Sequence, residues 1–283
     1  MAVVNKKPGS YAFKIIAYTF CLLLTVLSLF PFVIMIVNAT RSSGQIQSHA
    51  LSLVPGTNLA KNWSILFGRG FNPLAGFKNS LIISVCSTAC NVYFSTMTAF
   101  ALVAYDWKLR KPFFTLIMAV LMIPAQVTSI GFYQFMYKIH WTNSYLPLIL
   151  PAIAAPTTVF FMRQYMIPSL PMEILQSARI DGAGEFRIFN QIVLPMMKPA
   201  MATQAIFSFV MSWNQLFMPQ ILITRMEKYT MPMMVSLLNG DAYKTEYGSV
   251  YLGLFLTIVP ILIAYFLLSK YIIEGVALGG VKG

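Results

Sequence analysis

The sequence predicts an all-α membrane protein with six transmembrane helices. Three observations carry that prediction. Hydrophobic residues make up 58% of the 283 residues and charged residues only 10%, against about 25% charged in a soluble domain. The apolar residues gather in six runs, each near the ~20 residues a helix needs to cross ~30 Å of hydrocarbon. The basic residues fall between those runs rather than along one stripe.

The first run, residues 15–37, follows Lys6, Lys7 and Lys14. It is longer than the apolar stretch of about 7–15 residues in a signal peptide, and no small-residue cleavage site follows it. It is expected to be a retained span. The others cover residues 81–104, 113–137, 145–167, 200–223 and 247–269. Pro31, Pro124, Pro151, Pro156, Pro219 and Pro260 lie within or at the ends of spans, where neighbouring helices can satisfy the freed backbone groups. With the N-terminus inside, twelve of the 20 Lys and Arg residues fall on the inner side, most clearly Lys108, Arg110 and Lys111 in the turn 106–111. Both termini are then cytoplasmic. The whole chain, 1–283, reads as one transmembrane domain with an inner loop at 168–199 and an inner tail at 270–283.

Several chemistries find no support. The net charge of +12 is spread as flanking charge, which argues against a nucleic-acid partner. Cys21, Cys86 and Cys90 sit in apolar runs without metal-site or disulfide spacing, and read as small packing residues. His49 and His140 stand alone in loops. The sequence has no GxxxxGK[ST], HExxH or GxSxG, so no catalysis is expected on this chain. The spans carry almost no ionisable groups away from their ends, unlike ion-coupled carriers. Asn38-Ala-Thr40 and Asn62-Trp-Ser64 match the short glycosylation pattern, which arises easily by chance.

The inner loop is the most informative stretch. Pro171 suits a first helical turn, and a helix is expected from there to about Ile180. Asp181-Gly182 should break it, because glycine takes positive φ without penalty. A second helical stretch follows, with Phe186, Phe189, Ile192 and Val193 on its apolar side, and Leu194-Pro195 is expected to end it. The pattern fits a helix on lipid headgroups or a knuckle that docks on a cytoplasmic partner.

This segment resembles the EAA loop of binding-protein-dependent ABC importer permeases. Gln176-Ser177-Ala178 occupies the EAA positions, Asp181-Gly182-Ala183 the DGA element, and Ile192-Val193-Leu194-Pro195 the IxLP element. Gln176 stands where the family usually has Glu, and Ser177 where it has Ala. The six-span layout, Trp213-Asn214 in the fifth span and the ending Glu274–Gly283 are similar to the carbohydrate branch, the maltose-type (MalG-like) permeases. The resemblance covers nearly the whole chain.

That resemblance implies a bacterial or archaeal cytoplasmic-membrane importer. This chain would pair with a second permease, two ATP-binding subunits and an extracytoplasmic solute-binding protein. ATP and Mg would be held by the ATPase partners, with no cofactor on this chain. Glu173, Gln176, Ser177, Ala178, Asp181, Gly182 and Ala183 would form the coupling element that enters the ATPase. Gly279, Gly280 and Lys282 would belong to a tail that reaches the ATPase subunits. Asn239, Gly240 and Asp241 would lie in an outer loop that meets the binding protein. Within the spans, Gln126, Thr128, Gln204, Trp213, Asn214 and Gln215 are candidates for a sugar pathway, where aromatic platforms and amides are useful. The same residue types also join helices to one another. The expected cargo is a carbohydrate, an oligosaccharide above all. A polyol or glycerophosphodiester importer of the same family, and an ion-coupled carrier, are the alternatives.

Overall fold

The computed structural model describes residues 9–68, 72–237 and 246–280, and among them every regular element is helical. The described residues divide into two compact units where the sequence suggests one domain. The first comprises Met1–Phe71 with Leu237–Leu256, and the second Asn72–Ser236 with Thr257–Gly283.

The first unit holds α1 (Gly9–Ala39), α2 (Ser43–Ser48), α3 (Leu59–Gly68) and the opening turns of the last helix, which is named below. α1 is almost wholly exposed along residues 11–33, as a lipid-facing span requires. A polar knot closes its end. The buried Arg41 guanidinium donates to Asn38 Oδ1 at 3.0 Å, His49 O at 2.7 Å and Gln45 O at 2.8 Å. Asn62 Nδ2 donates to the carbonyls of Ala39 and Arg41, and Ser249 Oγ donates to Asn62 O. Ser42 and Gln45 form a reciprocal capping box on α2, which satisfies two otherwise orphaned donors. Asn38 and Asn62 are both buried, so neither presents an acceptor for a glycan.

The second unit is organised around α4 (Pro73–Ala104), a 32-residue helix about 48 Å long. Asn72 caps it by accepting from Ala75 N, and Pro73 fills the first turn. After it come α5 (Arg110–Val120), α6 (Ala125–Lys138), α7 (Leu146–Ile149), a 3-10 turn (Leu150–Ile153) and α8 (Pro156–Ser169). The chain continues through α9 (Met172–Ile180), α10 (Glu185–Ile188), a π turn (Phe189–Val193), α11 (Leu194–Met196) and α12 (Lys198–Trp213). The remaining elements are α13 (Phe217–Leu222), a 3-10 turn (Met226–Lys228), α14 (Met231–Leu237) and α15 (Tyr247–Gly280). One core joins the helices of the 168–199 loop to α4 and α8: Phe100, Met162, Met166, Leu175, Ile188, Phe189 and Val193 are all buried together.

Among the described residues, three stretches are long and apolar enough to cross a membrane: Phe13–Ala39, Pro73–Ala104 and Leu146–Ser169. They coincide with the first, second and fourth expected spans. A fourth arises if Glu185–Met196 and Lys198–Trp213, bent by 81°, count as one crossing. The expected third span, 113–137, is not one helix. It breaks at residues 121–123, because Pro124 has no N–H to continue the ladder and disfavours the helical region at the residue before it. Leu121, Met122 and Ile123 instead make tight i→i−3 bonds. The expected fifth span, 200–223, likewise breaks after Trp213, since Pro219 cannot donate to the Gln215 carbonyl. The last helix does not stop at 269 but continues to Gly280. Its apolar portion is the shorter stretch Tyr247–Val259.

Two local expectations also change. Leu194-Pro195 does not end the second loop helix, which runs on to Met196. The π turn at Phe189–Val193 widens the helix just where the proline ring would otherwise meet the preceding turn. Cys86 is exposed rather than packed, and Cys90 is half-buried.

Candidate functional site

The loop at 168–199 forms a sharp elbow. α9 ends at Asp181, and Gly182 takes φ +80°, a left-handed conformation that costs an L-residue with a Cβ about 1–2 kcal/mol. The bonds are those of a Schellman cap. Gly182 N donates to Arg179 O and Ala183 N to Ala178 O, each at 3.0 Å. Leu175, Ala178 and Ala183 turn inward to the core. Glu173, Gln176, Ser177 and Ile180 are all exposed. Their spacing of i, i+3, i+4 and i+7 makes them one open stripe. Ile180 is 87% exposed and Phe186, just past the elbow, 71%. The elbow is therefore fixed from below and bare on top.

A polar clamp holds its two arms together. Arg179 Nε donates to Glu185 Oε1 at 2.7 Å and Nη2 to Oε2 at 3.2 Å. The Tyr105 hydroxyl, at the end of α4, donates to Glu185 Oε2, and the Arg179 guanidinium lies 5.4 Å from the Tyr105 ring centre. The Arg179 bond holds the Glu185 carboxyl below its ordinary range. Partial burial, with the Glu185 acceptor second, pushes the Tyr105 hydroxyl up to about 12. At neutral pH the clamp is thus cation, anion and neutral phenol. No local pattern signals it, because Tyr105 and Glu185 are 80 positions apart.

The second feature is a cavity of about 620 Å³ inside the second unit. One face of α4 supplies Ser80, Ile83, Ser87 and Asn91, and one face of α12, with the residues just after it, supplies Gln204, Ser208, Met211, Ser212 and Gln215. The two faces are zipped by polar pairs: Ser87 Oγ donates to Ser212 Oγ at 2.9 Å, and Asn91 Nδ2 to Ser208 Oγ at 3.0 Å. Thr128, Phe132, Thr157, Phe207 and Thr230 complete the notable lining, and none of the lining residues is ionisable.

The pathway candidates divide accordingly. Gln204, Gln215 and Thr128 line the cavity, whereas Gln126, Trp213 and Asn214 do not. Trp213 is 1% exposed. It packs against Phe77 and Phe209, and its Nε1 donates to Thr257 O at 2.6 Å. It is a packing residue and not a platform. Gln126 and Asn214 are exposed elsewhere. The α4 contribution was missed by the sequence reading, although Ser80, Ser87 and Asn91 stand at helical spacing in an apolar run and could have signalled it. Gly279 and Gly280 end α15. Lys282, Asn239, Gly240 and Asp241 lie outside the described residues.

Comparison with known proteins places this geometry in context. The chain is 36% identical to the arabinooligosaccharides transport system permease protein AraQ of Halalkalibacterium halodurans, over 91% of this chain and 92% of that one. It is 32% identical to the protein of the same name in Bacillus subtilis, over 99% and 100%. It is 30% identical to the lactose transport system permease protein LacG of Rhizobium radiobacter, over 95% and 96%. In fold it resembles a chain of a bacterial ABC transporter involved in the import of the acidic polysaccharide alginate. The TM-score is 0.79 at 18% identity, covering 95% of this chain and 100% of that one. A family model matches residues 91–273, which include the elbow and most of the cavity wall, and the chain belongs to that family, the binding-protein-dependent transport system inner membrane components.

Proposed function

We propose that this chain is the permease half of an ATP-driven importer that carries a carbohydrate, in particular an oligosaccharide, into the cell by alternating access. The observation that carries the coupling part of this reading is the elbow. Its outer stripe of Glu173, Gln176, Ser177 and Ile180 is open to a partner. Its inner residues Leu175 and Ile188 are fully buried in the core shared with α4 and α8. A close-packed core transmits displacement rather than absorbing it. A push on the stripe would therefore move the ends of α4 and α8 as one body, with the Tyr105–Glu185–Arg179 clamp keeping the arms from splaying.

In this reading the chain works beside a second permease, with two ATP-binding subunits gripping the elbows and an extracytoplasmic binding protein delivering the sugar. ATP and Mg stay on the ATPase subunits, and this chain makes and breaks no covalent bond. It crosses the cytoplasmic membrane six times with both termini inside, the broken helix pairs α5–α6 and α12–α13 each completing one crossing. Membrane helices tolerate such breaks where protein or a cavity covers the freed backbone groups. The names of the AraQ and LacG relatives support a sugar as cargo. Similarity to the sn-glycerol-3-phosphate permease UgpE of Yersinia enterocolitica, 31% identical over 88% of this chain, keeps a glycerophosphate cargo as the second reading.

The test is ATP hydrolysis in proteoliposomes that contain this chain, its co-encoded permease, the ATPase and the binding protein. Sugar-loaded binding protein should stimulate hydrolysis, and omission of this chain should abolish the stimulation. Hydrolysis indifferent to the binding protein would sink the proposal.

A further inference from the structure

We propose that the base of α5 and the adjoining side of α8 form a binding site for the headgroup of an anionic phospholipid, built on Arg163, Arg110 and Lys111, with the acyl chains of that lipid lying along α5. The proposal takes from the reading above only that α5–α6 crosses the bilayer with the turn 106–111 on the inner side.

Arg163 is the residue that asks for a ligand. It belongs to Leu146–Ser169, a stretch long and apolar enough to cross a membrane, and sits ~9 Å before the end of α8. Its guanidinium carbon lies 4.3 Å from the centre of the Phe114 ring. The ring attracts the charge, but Nε is buried and has no hydrogen-bond partner in the chain. A cation in a membrane span normally pairs with an acid or a carbonyl, because leaving a desolvated charge unpaired is costly. Among the described residues no carboxylate pairs with Arg163, and the ion pairs lie elsewhere, at Arg179–Glu185 and Arg225–Glu227.

The start of α5 brings more cations to the same seam. Arg110 precedes Phe114 by one turn and shares its side of the helix. Its Nη1 donates to Tyr105 O at 3.1 Å, one bond of the five that a guanidinium can donate. Lys108 and Lys111 on either side of it are exposed. The turn encloses a hollow of about 450 Å³, whose lining sets Lys108, Arg110 and Lys111 against the single acid Asp106. Trp107 also lines it and packs on Phe113, an aromatic group of the kind that anchors at headgroup level. A basic pocket of this sort between membrane helices suits an anionic headgroup.

The length of α5 selects a lipid over a soluble anion. Its 11 residues span ~16 Å, about half of the ~30 Å hydrocarbon core, which is one leaflet. Phe113, Leu116 and Val120 are exposed and stand at i, i+3 and i+7, one apolar stripe. The cations therefore mark one end of an apolar strip as long as an acyl chain. Inorganic phosphate or a nucleotide would meet the cations and leave the strip bare. A zwitterionic lipid would cover the strip but bring its own cation to the arginines. An amphiphile with a net anionic head satisfies both.

The test is native mass spectrometry of the complete transporter, taken from vesicles of four parts phosphatidylcholine to one part phosphatidylglycerol. Wild type should retain phosphatidylglycerol in preference to phosphatidylcholine, and inorganic phosphate should not displace it. Arg163→Gln should lower that retention about tenfold, the worth of one charge-assisted hydrogen bond. Arg163→Lys, which keeps the charge but not the planar fork, should fall between. Lys111→Gln, a change at an exposed residue, should lower retention in the same sense and carries the test if Arg163→Gln does not assemble. Lys78→Gln, an exposed cation near the opposite end of α4, should match wild type. Equal retention in wild type, Arg163→Gln and Lys111→Gln would overturn the site. Displacement by inorganic phosphate would replace the lipid with a soluble anion. Loss of the co-encoded permease from the Arg163→Gln complex, with lipid retention per complex unchanged, would assign Arg163 to an acid of that subunit and overturn the proposal. A transporter that keeps its phosphatidylglycerol while sugar-loaded binding protein stimulates no hydrolysis would bring down the importer reading and leave the lipid site standing.

Discussion

Replacement of Gly182 tests the elbow in graded steps. A Cβ at this position meets nothing within 4 Å, so space is not the constraint and the backbone carries the whole cost. At φ +80° alanine should lose about 1–2 kcal/mol. Asparagine, which tolerates the left-handed region, should lose roughly half a kcal/mol. A β-branched valine should lose more than alanine, up to about 2 kcal/mol. The chain has one escape, which is to abandon positive φ and give up the two capping bonds from Gly182 and Ala183. Those bonds are worth about 1 kcal/mol each, so the loss is capped near 2 kcal/mol, or about thirtyfold in the population of the formed elbow. The assay is the ratio of binding-protein-stimulated to basal ATP hydrolysis in the reconstituted complex, alongside co-purification of the ATPase with tagged permease. Coupling should fall in the order Gly, Asn, Ala, Val, with Asn near wild type. A valine variant that couples as well as wild type, in a complex that still assembles, would refute the reasoning. An asparagine variant no better than alanine would do the same.

Three further outcomes are expected. Glu185→Gln should weaken the clamp by no more than about 1 kcal/mol, because both partners are partly exposed. Since Glu185 has a lowered pKa, its contribution is present above the ordinary carboxylate pKa and fades as pH falls through the lowered value. Wild-type coupling should therefore drop on acidification in that window while the Gln variant stays flat there, and equal pH profiles would count against the clamp. Gly248→Ala should destabilise the first unit by roughly 1–3 kcal/mol, because its Cβ would lie inside contact distance of Asn62 and the Arg41 carbonyl. Thermal unfolding of the detergent-solubilised chain checks this, with Gly131→Ala, where the Cβ is free, as the tolerated control. Trp213→Phe should cost about 1 kcal/mol through loss of the bond to Thr257 O. It should lower thermal stability without changing which sugar is carried, and a change in selectivity would restore Trp213 to the pathway.

The loop at 168–199 was legible because its determinants are local. Asp181-Gly182 sets a cap within six residues. Pro124 was equally visible, yet an apolar run of adequate length masked the break it makes. The candidate pathway was only half legible. Gln204 and Gln215 were identified as polar groups in an apolar run, but so were Trp213 and Asn214, which the fold sends elsewhere.

By itself the sequence determined the membrane class, the helical content and the place and sense of the elbow, since each follows from composition, run length or a few neighbouring residues. Only the tertiary structure decided which faces meet: the polar edges of α4 and α12 around one cavity, Trp213 against Phe77 and Phe209, and Tyr105 on Glu185. The physical reason lies in the solvent. A helix in a bilayer is apolar on the side that packs and on the side that meets lipid. The amphipathic period that tells inside from outside in a soluble helix is therefore largely erased, and orientation is left to the partners it packs against.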